Sequence, residues 1–143
     1  MFTSVLLPID LNQESSWDRA LPAAEQIARD YGAKLTIMSV LPTFGLPAVS
    51  QYFPEGFEKK AEGAASEALK SFVRDKCTNP DQVKLHLAHG TIYDEILQYA
   101  AKIQCDLIVM GSHRPEFKDY LLGPNAARVV RHAKQSVFVV RPT

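Results

Sequence analysis

The sequence predicts an α/β fold: a single open five-stranded parallel sheet with helices on both faces. Three observations carry that prediction. Five short apolar runs are spread along the chain, and a stretch with apolar residues at helical spacing separates each run from the next. The first, fourth and fifth runs are nearly continuous in hydrophobicity, as in strands covered on both faces. The length, 143 residues, suits one domain, 1–143, and no linker, repeat or low-complexity tract divides it. Strand and helix in strict alternation wind such a sheet with right-handed crossovers.

Each element has its own justification. Phe2 to Ile9 is a β-prone run closed by Asp10. Trp17, Ala20, Leu21, Ala24, Ile27, Ala28 and Tyr31 then recur at helical spacing, with Ser15 or Ser16 as N-cap and Gly32 as the stop. Pro22 lies inside that pattern and either bends the helix or sits in its first turn. Lys34 to Val40 is the second strand. Phe57 to Lys76 is a helix with Phe57, Ala61, Ala64, Ala65, Ala68, Leu69 and Phe72 on its apolar stripe. Val83 to Ala88 is the third strand. Strands two and three alternate more than the others, which places them nearer an edge. Ile92, Ile96, Leu97, Ala100 and Ile103 give a third helix that opens at Thr91. Asp106 to Met110 is the fourth strand. Ala126, Val129, Val130 and Ala133 mark a helix over Asn125 to Ala133, and Ser136 to Val140 is the last strand.

Composition removes several functions. Lys and Arg total 16, as do Asp and Glu, so the net charge is zero. That balance argues against binding nucleic acid through phosphate neutralisation and against a polybasic membrane anchor. No apolar run approaches the ~20 residues of a membrane span. The first residues, Met1 to Pro8, lack the basic region and the apolar length of a signal peptide, so a cytoplasmic location is expected. Cys77 and Cys105 stand apart, as two buried thiols of a reducing compartment would. His86 and His89 point to opposite faces of a strand, His113 and His132 have no partner at ligand spacing, and no resident metal is expected. No nucleophile elbow and no placed pair of carboxylates identifies an enzyme.

Ligands of wound sheets bind beyond the carboxyl ends of the strands, where the winding reverses. The loops to search are Asp10 to Gln13, Leu41 to Glu55, His89-Gly90 and Gly111 to Asn125. The second is long and apolar, with Phe44, Leu46, Tyr52 and Phe53, and suits a lid or a partner contact. The last follows a buried strand and ends at a helix N-terminus, which can hold phosphate on free N–H groups. Gly111 and Gly123 would let backbone approach such a ligand; equally, they fit an ordinary strand-to-helix turn.

Asp106 to His113, Leu121-Leu122-Gly123 and Ser136 to Arg141 resemble the C-terminal half of a universal stress protein. Val5 to Asp10 and Gly90 to Ile96 fit the same family, in order along essentially the whole chain. The resemblance implies a Rossmann-like, adenine nucleotide alpha hydrolase-like sheet in the order 3-2-1-4-5. It also implies a cytosolic homodimer and, in one branch, ATP binding, with ADP or AMP as alternatives. That branch carries Gly, two residues, Gly, nine residues, then Gly followed by Ser or Thr. Here Gly111 is present, Arg114 holds the second glycine position, eight residues separate it from Gly123, and Pro124 holds the hydroxyl position. Proline offers neither hydroxyl nor N–H to a phosphate, while Arg114 either clamps the phosphates or fills their place. By resemblance, Asp10 lies beside ribose and phosphates, with or without Mg2+; capping its own loop is a compatible role. Pro8 shapes the approach to Asp10, and the backbone of Val40 meets adenine. Met110, Gly111, Ser112 and His113 form the rim, and Asn125 gives an N–H from the last helix. The implied dimer pairs Ser136 to Val140 with its own copy; a loop of the same chain over that edge is the alternative. Two other functions fit this type of sheet: an interaction module with a vestigial pocket, and a redox or flavin protein.

Overall fold

A computed structural model describes residues 1–41, 56–112 and 124–141. The elements are β1 (Ser4–Pro8), α1 (Ala20–Tyr31), β2 (Lys34–Leu41), α2 (Phe57–Lys76), β3 (Val83–His89), α3 (Ile92–Lys102), β4 (Leu107–Gly111), α4 (Pro124–His132) and β5 (Ser136–Val140). All strand pairs are parallel and the sheet order is β3-β2-β1-β4-β5, as expected. Val5, Leu6 and Leu7 of the central strand are completely buried. Alternation sends Val5 and Leu7 to the face covered by α1 and α2, with Ala24, Leu69 and Phe72. Leu6 goes to the other face, with Ile96 of α3 and Ala126 and Val129 of α4. Burying one such side chain contributes roughly 1.5–3 kcal/mol, so these two layers hold the helices against the sheet.

The ends of the elements follow local chemistry. Gly32 ends α1 with φ 63°, and Ala33 N–H donates to Ala28 O at 2.8 Å, closing the last turn. Pro22 is the third residue of α1, in the first turn, where its missing N–H costs nothing. At the amino-terminal end of the sheet the Asp106 carboxylate accepts the N–H groups of Thr3 (2.9 Å) and Ser4 (3.0 Å) and the Thr3 hydroxyl (3.1 Å). Burial opposes its charge, but the Thr3 and Ser4 hydrogen bonds prevail and hold it below the usual carboxylate range. Cys77 and Cys105 are buried free thiols, and burial pushes each up to about 11. Neither is a thiolate at neutral pH, which counts against the redox alternative.

Two expectations need correction. Neither Ser15 nor Ser16 caps α1: the helix starts at Ala20 after Arg19, and Ser16 ends a separate 3-10 turn, Glu14–Ser16. β3 is an edge strand and β2 lies beside it, paired on both sides with Thr36 and Ser39 buried, so both do sit nearer an edge than β1. β5 is not fully covered on both faces, since Phe138 is 46% exposed; its place at the edge is the one the order 3-2-1-4-5 implied. Apolar continuity cannot separate a strand buried within its own chain from one with an open edge.

Candidate functional site

The winding direction reverses at β1, since α1 and α2 lie on one face and α3 and α4 on the other. β1 stays paired with β2 to its last residue, Pro8 with Met38, whereas its ladder to β4 covers only Val5–Leu107 and Leu6–Ile108. The Ile9 N–H donates to Met38 O at 2.8 Å, so the alternating backbone turns position 8 toward β4, where Pro8 has no N–H to give. The sheet therefore opens between the carboxyl ends of β1 and β4.

A cleft of about 400 Å³ occupies this opening. Pro8, Asp10, Val40, Met110, Gly111 and Asn125 of the expected residues all line it. The sheet order lays them out laterally, with Val40 at the end of β2, Asp10 after β1, and Gly111 and Asn125 on the β4 side. Asp10 Oδ1 accepts the Asn12 N–H at 2.9 Å, so the carboxylate does cap its own loop. The buried Ser16 hydroxyl ties the loop together: it accepts the Asp10 N–H at 2.9 Å and donates to Gln13 O at 2.7 Å. Asp10 Oδ2 makes no hydrogen bond among the described residues.

Gly111 has a different reason from the one expected. A Cβ there would lie 2.6 Å from Ser16 O and 3.0 Å from Ser15 O, so its missing side chain admits the Asp10–Ser16 loop, while Gly111 still lines the cleft. Ser112 is buried beside the cleft and donates its N–H to Val140 O at 2.8 Å. Pro124 opens α4, so that helix begins without one N–H, and Asn125 follows it. His113, Arg114 and Gly123 lie outside the described residues, as does the loop 42–55.

Sequence reasoning missed several lining residues: Ser39, the α2 alanines Ala64, Ala65 and Ala68, and Ile92 and Ile96 of α3. A small-residue face on α2 and one serine in an apolar strand were the available signals. Among the described residues no group of His, Cys, Asp and Glu is placed to hold a metal. His86 stacks on Tyr99 at 3.6 Å, and burial holds its pKa below the usual value. His89 Nε2 comes within 2.7 Å of Glu62 Oε1 on the other side, without the angle of a hydrogen bond. The two histidines thus do face opposite ways. A second hollow, of about 310 Å³, lies at the amino-terminal end of the sheet between Glu25, Arg29, Asn79 and Gln82, away from the strand ends that gather the expected residues.

Comparison with known proteins gives a consistent result. The sequence pattern of the universal stress protein family matches residues 1–141. Universal stress protein G of Shigella flexneri is 31% identical over 143 residues, covering 99% of this chain and 100% of the relative. A universal stress protein solved in complex with cAMP superposes with a TM-score of 0.72 at 21% identity, covering 99% of each chain. A member of the family from Arabidopsis thaliana, solved with AMP bound, gives 0.66 at 22% identity over 99% of this chain and 92% of its own. At such identities the superpositions establish a shared fold.

Proposed function

The chain belongs to the universal stress protein family, and on that premise we propose that its cleft binds an adenine nucleotide, ATP foremost. The observation that carries this reading is the position of the cleft at the winding reversal, with six of the expected residues around it. Its volume of about 400 Å³ falls in the range of small-ligand sites. Apolar side chains from β2, α2 and α3 suit the faces of a base, and the uncommitted Asp10 oxygen suits ribose hydroxyls. The first turn of α4 supplies N–H groups toward phosphate, fewer by the one that Pro124 lacks. Relatives of the same fold, solved with cAMP and with AMP, support an adenine ligand. A magnesium ion arriving with ATP would find one carboxylate among the described lining residues, Asp10, with phosphates and water as further ligands.

The protein then acts as a homodimeric regulator or sensor of stress in the cytoplasm. The outer edge of β5, which no strand among the described residues pairs with, and its exposed Phe138 support pairing with a second copy. Among the described residues no helix is long and apolar enough to cross a membrane. Native mass spectrometry after incubation with ATP, ADP or AMP tests the reading. The expected outcome is a mass increase of one nucleotide per chain; a chain that stays bare with all three is an interaction module with a vestigial pocket.

A further inference from the structure

We infer that the Ser39 hydroxyl reads a polar atom on the edge of the base, making Ser39 a specificity-determining residue of the cleft. The inference rests on the nucleotide reading above and goes beyond it in assigning selection of the base to one side chain. Ser39 lines the cleft at the carboxyl end of β2, with only 9% of its surface exposed. Strand alternation places it on the same face as Leu35 and Ile37, the face that α2 covers. There α2 presents Ala64, Ala65 and Ala68 to the cleft beside Leu41, while Val40 lines it from the opposite face of β2. None of these side chains can donate or accept a hydrogen bond. The Ser39 hydroxyl makes no hydrogen bond among the described residues.

A buried hydroxyl without a partner is costly, and one that opens on a cleft is satisfied by what fills the cleft. The occupant of this end is set by the lateral layout. Asp10 stands at the middle strand and the α4 N-terminus at the β4 side, so sugar and phosphate lie toward those groups. The flat, uncharged part of the ligand is left at the β2 end, against the alanines. A hydroxyl both donates and accepts, so it pairs with a ring nitrogen or with the 6-amino group of adenine.

Calorimetric titration of the full chain with adenosine 5′-monophosphate and analogues that each lack one polar base atom tests this. The analogues are the 1-deaza, 3-deaza and 7-deaza forms and the form without the 6-amino group. The native protein should bind one analogue about 3- to 10-fold more weakly than the parent, the loss of one neutral hydrogen bond. Ser39→Ala should bind the parent more weakly by the same factor and no longer distinguish that analogue, and Ser39→Thr, which keeps the hydroxyl, should restore the discrimination. If Ser39→Ala shifts only thermal stability and leaves the ratios among the five ligands as in the native protein, Ser39 is merely a core residue and the inference fails alone. If the native protein binds none of the five, the nucleotide reading fails and takes this inference with it.

Discussion

Gly111 and Asp10 were both visible in the sequence as loop residues after strands, yet the structure gives them unequal meanings. Both line the cleft, but position 111 must be glycine because of the Ser15–Ser16 backbone packed against it. Gly111→Ala should therefore destabilise the fold by about 1–3 kcal/mol through backbone overlap. Gly32→Ala, in open space but at φ 63°, should cost about 1 kcal/mol from conformation alone. Urea unfolding of both variants checks the order, and equal losses would refute the packing argument. Ser39 was illegible for a physical reason: a serine in an apolar strand looks the same whether a neighbour satisfies it or a cleft exposes it. Asp106 gives a pH test. Its depressed pKa adds stability that is present above the unfolded value of about 4 and lost as pH falls through the folded value. Thermal midpoints between pH 6 and 3 should fall further for the native protein than for Asp106→Asn; parallel curves would show that the Thr3 and Ser4 contacts are neutral.

Existence and order of the elements were legible because helical spacing and apolar runs alternate cleanly, as in α2 and β4. Boundaries were less so. Ser16 has the chemistry of an N-cap, but its hydroxyl serves the Asp10 loop, and α1 starts at Ala20. Strand β5 reads as buried because Ser136 to Val140 is apolar, although among the described residues no strand pairs with its outer edge. The Ser112 N–H bonds Val140 O, so position 140 faces β4 and position 139 faces outward. Val139→Pro should consequently leave the β4–β5 ladder intact, since a proline is tolerated where its N–H side faces solvent. It removes the donor that a second copy would use. If β5 forms the dimer, the variant should fold with native circular dichroism and run as a monomer in dilute size-exclusion chromatography; a variant that still runs as a dimer places the contact elsewhere.

At the scale of the molecule, the sheet order makes the site. Helices leaving β1 and β4 on opposite faces, and a proline where the two strands part, open a cleft lined by Asp10 to Asn12, Leu41, Gly111 and Asn125 of the loops singled out in the sequence, but not by His89 or Gly90. Its floor and its β1 side were legible from Pro8, Asp10 and Met110. Its α2 wall was not, because alanines on an amphipathic helix carry no sign of facing a ligand rather than the core. That wall offers the most direct test. Ala68 lines the cleft from α2 and is itself exposed, so a large side chain there fills the cleft without disturbing the core. In calorimetric titration with ATP, the native chain should bind one nucleotide per subunit, and Ala68→Trp, folded and equally stable, should bind none. Equal binding by both proteins, or none by the native chain, would contradict the assignment of this cleft as the nucleotide site.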